Sequence, residues 1–207
     1  MSAPSTAAGM LPALAPAPER GRRNVLLVGT LFAVAAGTTL FGGLLASYFS
    51  AREVARAAGE AWVPQDVVLP NVPLFVGYLT LLMSSVTAQW SVSAINGRDR
   101  RAAYVALGLT LVLGLAFVNA LSFSWSQLGM VAEASRFATT VYAVTVTHLL
   151  VVIAAHVALV VVGFRALGGQ FSPDNREMVV SAVTFWHFSV AVGLVVWYSI
   201  WFLVGGP

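Results

Sequence analysis

Five apolar runs, each long enough to cross a bilayer, constrain this chain more than any other feature. They cover roughly residues 24–50, 71–95, 102–125, 137–165 and 177–204. A helix needs about 20 apolar residues to cross a hydrocarbon core ~30 Å thick. Lipid offers the backbone no hydrogen-bond partner, so only helices and closed barrels span it. None of the five runs alternates polar and apolar residues as barrel strands do. The expected fold class is therefore all-α integral membrane, with five transmembrane helices. Charge usage agrees: 9% of the residues are charged, against about 25% in a soluble domain.

The breaks between runs carry turn chemistry. Asn71 with Pro73 suits a helix start and Asn96-Gly97 a helix end. Ser172, Pro173 and Asp174 read as an N-cap, a first-turn proline and an acid matched to the helix dipole. Ahead of the first run lies a Pro- and Ala-rich stretch followed by Arg20, Arg22 and Arg23. A secretory signal has its basic residues in front of the apolar stretch, so residues 1–20 read as a disordered tail and 21–207 as the membrane domain.

All eleven basic residues are arginines. Arg20, Arg22, Arg23, Arg98, Arg100, Arg101, Arg165 and Arg176 fall on one side of the alternating spans, and Arg52, Arg56 and Arg136 on the other. The positive-inside rule then predicts an N-in, C-out orientation. A net charge of +3, spread between oily runs, gives no basic face for nucleic acid. With no cysteine, disulfides, iron–sulfur clusters, thiolate zinc sites and covalent haem attachment are excluded.

Small residues recur every four positions on the first span, at Gly29, Ala33 and Gly37 and again at Gly42 and Ala46. That spacing lets helices approach closely where lipid gives no hydrophobic drive. Trp197 and Trp201, one turn apart near the end of the last span, suit an interfacial aromatic belt. No internal repeat or pair of broken helices supports a secondary transporter.

Chemistry is limited by where the acids lie. Glu19, Glu53, Glu60, Asp66, Asp99, Glu133, Asp174 and Glu177 all fall in tails, loops or helix ends. Proton-coupled carriers rely on acids inside the membrane, so this chain is a poor carrier. Three histidines remain. His148 lies ~16 Å into the fourth span and His187 ~14 Å into the fifth from the opposite side, which puts both near the midplane. If the two helices are neighbours, these imidazoles can meet, and an independent haem b protein is one reading. His156 lies ~12 Å further along and cannot join them. The haem reading is opposed by bulky neighbours: Leu149, Leu150 and Val151 follow His148, and Trp186 and Phe188 flank His187. Zinc or copper lacks further ligands in view. With no acid beside them, a proton relay is also disfavoured. What is left is hydrogen bonding between helices, with each other, with Thr145, Thr147 or Thr184, or with lipid, worth on the order of 1 kcal/mol each. Gln89 and Asn119 are expected to do the same. No phosphate-binding glycine loop, nucleophile elbow or metalloprotease pair is present.

Three segments together resemble subunit III of the haem–copper oxidases: "TLFGGLLASYFSAR" from Thr39 to Arg52, "VYAVTVTHLLVVIAAH" from Val141 to His156, and "FWHFSVAVGLVVW" from Phe185 to Trp197. The resemblance covers residues 24–204 and matches the short five-span bacterial form. It carries over His148, Trp186, His187 and Phe188 as helix-packing or lipid-contact residues. The family's two buried glutamates fall at Gly37 and at about Ser122 here. The second histidine of its paired motif falls at Val151, and the aspartate after Trp-His-Phe at about Val190. The resemblance implies two helix bundles in a V with a lipid-binding cleft, the first two spans forming one bundle and the last three the other. It also implies a chain with no catalytic, metal or cofactor residues of its own. Haem and copper would sit in the partner catalytic subunit, subunit I, beside other respiratory subunits and structural phospholipid in the bacterial cytoplasmic membrane. A subunit III relative serving a quinol oxidase or nitric oxide reductase is the alternative.

Overall fold

A computed structural model describes residues 24–203. It contains α1 (Val25–Ala57), α2 (Asn71–Asn96), α3 (Arg100–Leu128), α4 (Arg136–Leu167) and α5 (Glu177–Trp197), and α5 runs on into a π-helical turn, Tyr198–Phe202. All five are long and apolar enough to cross a membrane. Among the described residues no β-strand forms, only one isolated bridge between Ser172 and Asn175. The expected tail over 1–20, the arginines at 20, 22 and 23, and Val204 lie outside the described residues.

The bundle is oily outside and partly polar inside. Phe32, Val112, Leu115, Leu150 and Phe164 are exposed on its flanks, whereas Ser84, Thr110, Thr145, His148 and Ser189 are fully buried. That inverts the water-soluble pattern and fits lipid as the solvent, where buried hydroxyls find partners on their own or neighbouring helices.

Helix α5 is the hub, packed against α4, α1 and α2, while α3 pairs most closely with α2 and also touches α4. The expected grouping of the first two spans is therefore corrected: α1 lies on α5 and α4, and α2 lies on α3 and α5. Linker length is the physical reason. Residues 97–99 join α2 to α3 and force an antiparallel hairpin, whereas 58–70 separate α1 from α2 and leave their placement to packing. The longer linker folds back over its end of the bundle. There the Trp62 ring meets Tyr48 and Phe137 edge-on, and its Nε1 donates to the Tyr48 hydroxyl at 3.1 Å.

Several helix ends differ from expectation. Helix α1 continues to Ala57 because "SAREVARA" keeps helix-forming residues after the apolar run stops. Ser172 does not cap α5. Residues Ser172–Asn175 instead close a turn, with Asn175 N–H donating to the Ser172 carbonyl at 3.0 Å, and α5 starts at Glu177. The Glu177 carboxylate caps a different helix: it accepts from the N–H groups of Leu26 and Leu27 at 2.7 and 3.2 Å, satisfying free donors at the start of α1. The two tryptophans do not form an exposed belt. Trp201 is 3% exposed, and Trp197 packs on Phe75 and Tyr78. The π turn, closed by Leu203 N–H on the Tyr198 carbonyl, changes the inward-facing register at this end.

Candidate functional site

The "WHF" triplet sits on the hub helix, and successive residues on a helix point about 100° apart. Its three side chains consequently point in different directions: Trp186 toward α2 and α3, His187 along α2, and Phe188 toward α1. Trp186 is completely buried, and its Nε1 donates to Ser84 Oγ on α2 at 3.0 Å. Ser84 in turn donates to the Leu81 carbonyl at 2.5 Å. The far edge of the indole lies over Gly114 of α3. A Cβ there would fall 2.6 Å from the ring, so glycine is what admits it. His187 turns along α2, its Nδ1 2.5 Å from Ser85 Oγ and its Nε2 3.2 Å from Gln89 Oε1. The amide oxygen can only accept, so Nε2–H donates to it and Ser85 donates to Nδ1. Phe188 faces α1, where its ring tip lies 2.6 Å from the position a Cβ on Gly37 would take.

His148 on α4 is fully buried among Phe41, Tyr78 and Phe117. Its Nε2 lies 3.0 Å from the Ser189 carbonyl on α5. A carbonyl only accepts, so this nitrogen carries the proton and Nδ1 presents its lone pair. That Nδ1 and the Tyr78 hydroxyl have no hydrogen-bond partner. Gly193 leaves room for the imidazole, because a Cβ there would lie 2.8 Å from its Cε1 and Nε2.

The two midplane histidines therefore do not meet, although α4 and α5 are neighbours. His148 bonds one face of α5 and His187 bonds α2. Two imidazoles engaged on different helices do not present themselves to one iron, and aromatic rings fill the space around His148. The residues present do not fit a bis-histidine haem. His156 lies apart, beside Gly114 and Trp186, with its ring centroid 5.9 Å from the indole. Among the described residues no three His, Asp or Glu side chains converge as a metal site would require.

Of the other expectations, Gln89 bonds His187, but Asn119 is exposed on α3. Thr145 and Thr147 turn back to carbonyls on their own helix, and so does the exposed Ser122. Gly37 is used in close packing, whereas Gly29 and Gly42 have nothing near a would-be Cβ. Sequence reading missed Ser84, Ser85, Gly114, Ser189 and Gly193. One signal was available on α2, where the inward residues Gly77, Leu81, Ser84, Ala88, Ser91 and Ile95 recur at three- and four-residue steps and include small ones.

These features define a multi-pass membrane protein whose central helix is tied to its neighbours by side-chain hydrogen bonds and glycine clefts, with its carboxylate tie, Glu177 to the start of α1, at the helix end. The family follows from comparison. The family model described as cytochrome c oxidase subunit III matches residues 20–204, and the chain belongs to that family, the third subunit of the haem–copper oxidases. It is 29% identical over 195 residues to the cytochrome c oxidase subunit 3 of Corynebacterium diphtheriae, covering 90% of this chain and 94% of that one. A "probable cytochrome c oxidase subunit 3" of Nocardia farcinica is 30% identical over 186 residues, covering 88% and 90%. One of Rickettsia bellii is 27% identical, covering 83% of this chain and 66% of its own length.

Proposed function

We propose that this chain is the cofactor-free accessory subunit of a bacterial cytochrome c-type terminal oxidase, sitting N-in, C-out in the cytoplasmic membrane. It stabilises the catalytic subunit, subunit I, which carries haem and copper, and it holds structural phospholipid. The observation that carries this reading is the electrically silent interior. Among the described residues the spans hold no buried carboxylate, lysine or arginine; Trp186, His187 and His148 bond neighbouring helices, and buried hydroxyls such as Thr145 turn back on their own. An interior of that kind supplies shape and contact rather than a charge pathway. His148, Trp186, His187 and Phe188 act as struts that fix α5 against its neighbours. Gly37 and Ser122, standing where the family resemblance places acids, add no proton-handling group.

Surface and charge support the partnership and the orientation. Only Phe41, Tyr48 and Ala55 of α1 are buried, so most of this 33-residue helix is open to another helix. Small residues on it, Gly29, Gly42 and Gly43, leave room for close approach. Five described arginines, Arg98, Arg100, Arg101, Arg165 and Arg176, gather at the bundle end where α1 begins, against three at the other.

Purification in a mild detergent tests this. A large haem- and copper-containing subunit should accompany the chain, and the chain freed of it should show no Soret band. Recovery as a lone homo-oligomer, or a strong Soret band in the isolated chain, would contradict the proposal.

A further inference from the structure

At the arginine-rich end, a cavity of about 310 Å³ opens between the α2–α3 turn, the start of α3 and the end of α4. Arg98 and Arg100 line its mouth, with Tyr104, Ser172 and Asp174 on the remaining walls. Directly beneath it, a second hollow of about 190 Å³ runs between α3 and α4 over Gly108 and Gly163, with Leu111 at its floor. Tyr104 lines both, and its hydroxyl donates to the Ala166 carbonyl at 3.1 Å, tying the two helices at the junction.

Polarity changes sharply along this path. The upper part offers two guanidiniums, the planar forks that bind phosphate oxygens in pairs. Asp99 keeps its charge but caps α3, its Oδ1 accepting from the Ala102 N–H at 3.0 Å, and it does not line the cavity. Asp174 contributes one negative charge, which leaves the mouth net positive. The lower part is lined by aliphatic and aromatic carbon. From Arg100 to Leu111 the path along α3 is ~16 Å, about one leaflet of a ~30 Å core. Arg98 is also the one non-glycine described residue with positive φ, at 59°, although Gly97 beside it stays at −78°. That conformation closes the end of α2, with Asp99 N–H donating to the Ala94 carbonyl at 2.9 Å and Arg98 N–H to the Ile95 carbonyl at 3.1 Å, and it sets where the Arg98 side chain leaves the turn.

We propose that the mouth and the groove below it form a binding site for one anionic phospholipid, with its phosphate on Arg98 and Arg100 and an acyl chain along Gly108 and Gly163. A basic pocket between helices at the membrane surface, opening onto an apolar slot one leaflet deep, matches a charged head joined to a hydrocarbon tail. A free phosphate would use the mouth and leave the groove empty. The inference deepens the lipid-holding part of the proposed function by naming the place and the headgroup class, and it does not depend on which catalytic subunit the chain joins.

The test uses the full chain in detergent micelles, with native mass spectrometry reading retained lipid. Dioleoyl phosphatidylglycerol should be retained about tenfold or more over dioleoyl phosphatidylcholine. The double variant R98Q/R100Q should lose that preference, while R101Q, which removes an exposed charge outside the pocket, should keep it. G108L should lower phosphatidylglycerol retention several-fold by filling the groove, while G108A, whose Cβ meets nothing within 4 Å, should retain the lipid like wild type; a melting point for each variant reports whether the fold is kept. Equal retention of the two lipids would overturn the site, as would an R98Q/R100Q variant that behaves like wild type. Displacement of the lipid by millimolar inorganic phosphate, with G108L silent, would overturn it in favour of a simple ion site. Loss of the lipid preference with the catalytic subunit still co-purifying would remove this site alone; a solitary chain that keeps the preference would instead remove the partnership.

Discussion

At the residue scale, the glycines opposite the struts can be ranked by what stands in front of them. Alanine in a helix interior gains up to ~1 kcal/mol over glycine from propensity. At Gly193 the added Cβ would meet a fully buried, hydrogen-bonded imidazole at 2.8 Å. His148 cannot swing away without giving up the Ser189 carbonyl. Overpacking of this kind costs about 1–3 kcal/mol, so G193A should lower the thermal melting point in detergent. At Gly37 the obstacle is the tip of a half-buried Phe188, which has rotamer freedom, so G37A should be close to neutral in the same melt. A G193A as stable as wild type would mean that the His148 cleft is not tight. Trp186 gives a second comparison. W186F keeps most of the ring but removes the bond to Ser84 and should cost about 1 kcal/mol, whereas W186A empties a filled core position and should cost about 3–5. A chemical-denaturation series that found the two equal would assign the loss to the hydrogen bond and not to packing. The sequence showed that His148, Trp186 and His187 lie in apolar helices and so need partners. It could not show which partners, because each depends on the rotation of a neighbouring helix: His148 found a main-chain carbonyl rather than the nearby threonine hydroxyls, which bond their own helix.

At the scale of elements, the five spans were legible because hydrocarbon thickness sets helix length almost without regard to detail. Their ends were less so. Apolar length marks where lipid stops, not where helix stops, so the polar but helix-forming end of α1 was missed. Ser172-Pro173-Asp174 has cap chemistry, yet local turn bonds claim those residues before α5 begins. Asp99 and Ser135 cap α3 and α4 locally, but the cap on α1, Glu177, acts across 150 residues of sequence, which no local pattern can reveal. Its removal should free two amide donors at the start of α1, costing about 1 kcal/mol locally. In E177A, hydrogen exchange at Leu26 and Leu27 should speed up while the core of α4 is unaffected; unchanged exchange at those amides would show that the carboxylate is not their cap. Pairing between spans was also beyond sequence reading wherever a linker was long. The three-residue link fixes α2 on α3, but the thirteen residues at 58–70 allowed α1 to settle on α4 and α5.

For the whole molecule, the distribution of polarity matters more than any one group. Charges cluster at the two ends, two imidazoles and a few hydroxyls join helices inside, and bulky apolar residues face outward. On the proposed reading, such a body contributes surface to a complex. The missing acids could be read directly from the sequence, because their absence needs no knowledge of packing. What covers the open face of α1 could not, since a surface for a helix and a surface for lipid share the same composition. The most direct measurement is oxygen consumption and proton release by membranes of a strain lacking this chain, with haem and copper of the catalytic subunit quantified in the same preparation. The contact-and-support account predicts that initial turnover persists and then decays faster than in the parent strain as the unsupported catalytic subunit loses integrity. Immediate loss of both turnover and pumping, with haem and copper fully retained, would contradict it.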